Sequence, residues 1–163
     1  MGQTRRFSPL LARCMSCAGV MLASAMFACV VFTSVIFVPG AQADPKPMPA
    51  DAKVYIIWPA DGQVIPGGKF WVRMGLSNAG VAPAGIEKPK TGHHHLLVDT
   101  DLPPLDQEIP NDKNHLHYGL GQTEARLELP PGKHTLQLLF ADDSHVPHNP
   151  PLYSKKITII VPP

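Results

Sequence analysis

Beyond residue 43 the chain has no cysteine, since Cys14, Cys17 and Cys29 all precede it. A domain without thiols forms no disulfide and offers no thiolate to a metal. Its stability must therefore come from an apolar core, and any ion it holds must be bound by nitrogen and oxygen. Helical periodicity is missing as well. Of the nineteen prolines, all but Pro9 lie at or after Pro39, and proline removes an amide donor and clashes with the preceding turn, which excludes long helices there. There is no Gly-x-Gly-x-x-Gly, no phosphate loop, no internal repeat and no low-complexity block, so nucleotide chemistry has no foothold. A basic stripe is missing too, and with it the case for a nucleic-acid partner.

What the N-terminus does have is Arg5, Arg6 and Arg13, an almost uncharged apolar run to Val38, and then Ala41-Gln42-Ala43. That order predicts a signal peptide over residues 1–43, cleaved after Ala43. The run is long enough that an uncleaved membrane anchor is the alternative, and only then would the protein touch a membrane. Either way the expected location is outside the cytoplasm, periplasmic or secreted. The Cys14-x-x-Cys17 pair falls in this segment and gives the exported domain no redox function. Without Arg5, Arg6 and Arg13, eleven Lys and Arg face thirteen Asp and Glu, a net charge of about −2.

Residues 44–51, DPKPMPAD, read as a short extended linker, and residues 52–163 as one domain. Strand signals recur through it: Lys53 to Trp58, Lys69 to Ser77, His93 to Asp99, His115 to Tyr118, Gln122 to Leu129, Lys133 to Ala141 and Ser154 to Val161. Phe70, Val72, Met74 and Leu76 alternate with Trp71, Arg73 and Gly75, which predicts one buried face. Pro130-Pro131-Gly132-Lys133 reads as a tight hairpin joining two strands. Residues 78–89, 100–114 and 142–153 read as loops. The expected fold is all-β, an antiparallel immunoglobulin-like β-sandwich of about seven strands; a small barrel is the competitor.

Histidine is the residue type with a pattern. His93 and His95 share one face of their strand while His94 joins Leu96 and Val98 on the other. Residues two apart stand about 6.7 Å apart along a strand, near enough for two imidazoles to converge on one ion. His94 is expected at the core edge, donating a hydrogen bond. His115 and His117 repeat the His-x-His spacing, and His145 and His148 lie in a late loop beside Asp142 and Asp143. Pairing of the two His-x-His strands would gather four imidazoles at an end of the sandwich. The candidate metal ligands are thus His93, His95, His115, His117, His145 and His148, with Asp99, Asp142 and Asp143 as acids that hold a ligating histidine by its second nitrogen. His134 is expected to be structural.

An imidazole site without cysteine suits copper or zinc. Calcium is not expected, because no acidic twelve-residue loop with its glycine is present. Catalysis is not expected either: His-Glu-x-x-His is missing, and Ser144 beside His145 is no nucleophile pair, since neighbours on an extended chain point apart. Two readings remain open. In one, the domain binds and carries or buffers copper or zinc. In the other, the histidines hydrogen-bond the long loops onto the sandwich and the domain is a non-catalytic interaction module with an envelope protein as partner.

GHHHLLVD at 92–99, HLHYGLGQTEARLELPPGKHTLQLLFAD at 115–142 and HVPHNPP at 145–151 together resemble the bacterial exported domain family DUF4399 over about residues 75–161. The resemblance implies an exported domain of uncharacterised function and transfers no activity. Copper-handling periplasmic sandwiches offer a likeness of architecture only.

Overall fold

A computed structural model describes residues 44–163; the expected signal peptide and its three cysteines lie outside the described residues. Ten strands are present: β1 Lys53–Trp58, β2 Gln63–Val64, β3 Lys69–Ser77, β4 Gly80–Val81, β5 Thr91–Val98, β6 His115–Tyr118, β7 Glu124–Glu128, β8 Gly132–Ala141, β9 Pro147–Tyr153 and β10 Ile157–Val161. The described residues contain no helix. Every strand expected from the sequence forms, with ends within three residues of those predicted.

The strands make two sheets. One is antiparallel in the order β1-β3-β7; the other runs β2-β10-β8-β5-β4, with β6 also on β5 and β9 also on β8. Period-two alternation supplies the core between them. Val54, Phe70, Val72, Met74 and Leu127 from the small sheet pack against Leu96, Val98, Leu136, Leu138, Phe140, Ile157, Ile159 and Val161 from the large one. The fold is an all-β sandwich, predominantly antiparallel; the two-residue strands β2 and β4 add parallel pairings with β10 and β5.

Two local expectations are corrected, and the linker gains a detail. Pro130-Pro131-Gly132-Lys133 is not a hairpin turn: β7 pairs with β3 and β8 with β5, β9 and β10, so the chain crosses there from one sheet to the other. The segment after Val146 is a strand, β9, whose three prolines are tolerated because it is hydrogen-bonded to β8 on one side. The linker is extended but docked. Pro47 bridges Asn149, the Met48 amide donates to the Asn149 carbonyl at 3.2 Å, and Met48 is buried.

The outer face of the large sheet is covered too. Leu97, Leu139 and Ala141 form a second cluster with Ile109, Leu102 and Leu105 from the loop 100–114. Burying an Ile or Leu fully contributes about 1.5–3 kcal/mol, enough for Ile109 to anchor the loop. Seven of the eight residues of β5 are consequently buried, the core on one side and the loop on the other.

Candidate metal centre

His93, His95 and Leu97 point to the loop-covered face of β5, and His94, Leu96 and Val98 to the core. In the antiparallel β5–β6 pair His95 stands opposite His117, and Leu97 opposite His115. Register alone therefore delivers His117 to the His93 and His95 face. The His95 Nε2 lies 3.0 Å from the His93 Nε2, which lies 3.2 Å from the His117 Nε2. Nitrogens from these three residues fall within 4.8 Å of one another. Two ligands on a tetrahedral ion at about 2.0–2.1 Å stand about 3.3 Å apart, so little movement is needed to seat one.

The three rings are 4.9, 4.9 and 5.0 Å apart, centroid to centroid. His145 stands over them at 4.7 Å from His117, 5.1 Å from His93 and 6.0 Å from His95. Imidazoles radiating from one tetrahedral ion have centroids about 5 Å apart; five of the six separations among these rings, 4.7–5.1 Å, match that, and the sixth, His95 to His145, is longer at 6.0 Å. His145 reaches this position because Asp142 builds a turn. One Asp142 carboxylate oxygen accepts from the amides of Ser144 and Val146, at 2.9 and 3.0 Å. His145 takes a left-handed φ of 65° there, and its carbonyl accepts from the Ile109 amide at 2.9 Å, tying the long loop to the late one.

The neutral form of the trio is favoured. Burial, reinforced by the neighbouring histidines, lowers the pKa of His93 from an ordinary 6.5 to about 4 and that of His95 to about 2; burial and His145 lower that of His117. Hydrogen bonding does not complete the arrangement. His93 Nδ1 and His95 Nδ1 are buried without a partner among the described residues. A neutral imidazole has one N–H. If that of His93 is on Nδ1 it is stranded; if it is on Nε2, the proton of His95 is either stranded on its own Nδ1 or faces another N–H at 3.0 Å. No tautomer satisfies both rings, and the convergence of the Nε2 atoms, whose lone pairs an ion would use, is the feature that suits a metal.

The other candidates stand apart from the trio. His115 shares the face, but its Nδ1 is 2.9 Å from an Asp112 carboxylate oxygen, two residues along from His117. His148 is on the opposite face of the sheet, stacked on Phe140 with its Nδ1 donating to the Lys46 carbonyl at 3.2 Å. Among the acids, Asp99 accepts from His134 at 2.7 Å, Asp142 holds the turn, and Asp143 pairs with Lys46. None of them orients a ring of the trio. His94 sits in the core against Phe140 and donates to the Gln122 carbonyl at 3.2 Å, as expected for a core-edge histidine. The site itself lies under the loop on the sheet's outer face and not at an end of the sandwich, because Leu102, Leu105 and Ile109 draw the loop over it.

A family model for DUF4399, described as a domain of unknown function, matches residues 72–162. The chain belongs to the DUF4399 family. The matched span takes in His93, His95, His117 and His145 together with both loops that cover them. Neither the comparison with curated proteins nor that with solved structures finds a match.

Two features of this DUF4399 domain are not singled out by its histidine pattern. Glu108, on the long loop, places a carboxylate oxygen 3.9 Å from the His145 Nδ1. Gly119 leaves room for the His117 ring: a Cβ there would fall 2.3 Å from its Cε1 and Nε2. Gly119 lies in the turn just past β6, where alternation does not hold, so the sequence pattern gave no signal for it.

Proposed function

We propose that the domain binds a copper or zinc ion through His93, His95 and His117, with His145 as a fourth or alternate ligand, and that it carries or buffers the ion outside the cytoplasm. The observation that carries this reading is the convergence of the trio's ring nitrogens, the His93 Nε2 lying 3.0 and 3.2 Å from those of His95 and His117 and all three residues offering a nitrogen within 4.8 Å of the others. A histidine network evolved only to fasten loops would end its N–H groups on carbonyls or carboxylates, as His94 and His134 do. Imidazole nitrogen is a good ligand for both metals, and a site whose ligands are already neutral loses little affinity to protons.

Isothermal titration of the chelator-treated protein with Cu(II) and with Zn(II) tests it. One ion per chain is expected, with binding far tighter than about millimolar and a matching rise in the unfolding midpoint. No binding below that range by either ion, and no midpoint shift, would remove the reading.

A further inference from the structure

The long loop 100–114 sends one charged side chain to the rim of the ring cluster. Glu108 holds a carboxylate oxygen 3.9 Å from the His145 Nδ1, and that carboxylate has no other ion pair or hydrogen bond among the described residues. The remaining acids nearby are committed elsewhere. Asp99 is with His134, Asp112 with His115, Asp143 with Lys46, and one Asp142 oxygen with two turn amides. The second Asp142 oxygen is buried with no ring nitrogen in hydrogen-bonding reach. Glu108 is therefore the acid available to the cluster.

Its place there is fixed by its neighbour. The Ile109 amide donates to the His145 carbonyl at 2.9 Å, the His145 amide donates to the Asp142 carbonyl at 3.1 Å, and Ile109 is anchored against Leu97 and Leu139. The backbones that carry the carboxylate and the ring are thus pinned to each other. Only the side chains are left to turn, His145 being 30% and Glu108 73% exposed. The ring stands off-centre, 4.7 Å from His117 but 6.0 Å from His95. A ligating imidazole ordinarily donates its second N–H to a carboxylate, which sets the tautomer and raises the basicity of the ligating nitrogen. With Nδ1 beside Glu108, Nε2 is the His145 atom left for an ion. A turn of the exposed glutamate closes the gap to the about 2.7–2.9 Å of a charge-assisted hydrogen bond.

Resting on the metal-binding reading above, we propose that Glu108 is a positioning residue of the metal centre: its carboxylate holds the His145 Nδ1–H and turns Nε2 onto the ion shared by His93, His95 and His117. The loop 100–114 is then part of the binding machinery as well as its cover. His145 becomes the ligand whose engagement the loop controls.

A double-mutant cycle tests the proposal, with Zn(II) affinity measured by chelator competition in the native protein, Glu108→Gln, His145→Ala and the two combined. Glu108→Gln should weaken Zn(II) binding by about 10–100-fold. The metal-free unfolding midpoint should not move, because the Glu108 side chain is exposed. In the His145→Ala background the same substitution should change affinity by less than about twofold, since no ring is left to position. Nitrogen-15 spectra of the zinc-loaded protein give a second readout that does not depend on His145→Ala binding zinc. The His145 Nε2 should show the shift of a metal-bound nitrogen in the native protein and lose it, in part or in full, in Glu108→Gln. Unchanged affinity in Glu108→Gln, an equal loss with and without the His145 ring, or an unchanged His145 signal overturns the role of Glu108 and leaves the metal centre standing. Failure of the native protein to bind either Zn(II) or Cu(II) overturns the metal reading itself.

Discussion

His95 stands directly opposite His117 across the β5–β6 pair, and that pairing brings their rings to 5.0 Å. The two differ in what they cost the fold. His95 is buried with an unpartnered Nδ1, whereas His117 is only partly buried. A stranded buried polar group is worth about 1–3 kcal/mol of destabilisation. His95→Leu should therefore hold or raise the midpoint of the metal-free domain while abolishing the metal-induced rise. His117→Ala should abolish the same rise with little change to the metal-free midpoint. Marked destabilisation of the metal-free protein by His95→Leu would instead make the rings a structural network.

Gly119 offers a test that replaces no candidate ligand. A Cβ at this position meets the far end of the His117 side chain and, at 3.2 Å, the Ala84 Cβ. The ring can rotate away, so Gly119→Ala should change stability by no more than about 1–3 kcal/mol. Metal affinity should fall by about tenfold or more, since the displaced Nε2 no longer points at the shared centre. Titration calorimetry beside thermal unfolding separates the two effects. Unchanged affinity would show that His117 is not a ligand.

The legible part of this site was the part governed by alternation. Period two put His93 and His95 on one face and His94 on the other before any pairing was known, and the same rule placed Leu136, Leu138 and Phe140 in the core. Register was not legible. His115 and His117 are equivalent in sequence, and only the pairing of Leu97 with His115 and His95 with His117 separates a ring held by Asp112 from a candidate ligand. Alternation gave no reading through the turn at Asp142, where the chain is not extended; that turn sends His145 to the outer face and His148 to the inner one. The prolines of β9 hid a strand, and the irregular spacing of Leu102, Leu105 and Ile109 hid a loop that packs.

Acid should destabilise the metal-free domain partly through His94. Burial lowers its pKa from 6.5 to about 4, against the opposing hydrogen bond to the Gln122 carbonyl. Between those values the unfolded chain binds a proton that the folded one refuses, so stability is complete above pH 6.5 and falls as pH drops toward 4. Each pH unit in that window removes about 1.4 kcal/mol per such group. His94→Gln keeps an N–H for the carbonyl and removes the titration. Urea unfolding at pH 7 and pH 5 should show a loss smaller by about 2 kcal/mol in the variant than in the native domain. Equal losses would mean that His94 is charged, or solvated, in the folded state.

His134 should act in the opposite sense. Burial alone would lower its pKa, but the hydrogen bonds to the Asp99 carboxylate at 2.7 Å and the Pro130 carbonyl at 2.9 Å outweigh it and the pKa is raised. Both ring nitrogens face acceptors, the arrangement that only an imidazolium, with two N–H groups, satisfies. The folded state holds this proton more tightly than the unfolded chain does. Its contribution is therefore fully present below pH 6.5 and is lost as pH rises through the folded value. The pair closes the chain crossing after Pro130 onto the end of β5, with the other Asp99 oxygen accepting from the Thr135 amide at 2.8 Å. His134→Gln should thus cost more stability at pH 6 than at pH 8.5, in urea titrations of the two proteins side by side. A pH-independent difference would mean that the ring is neutral in the fold and that Asp99 holds it as an ordinary hydrogen-bond acceptor.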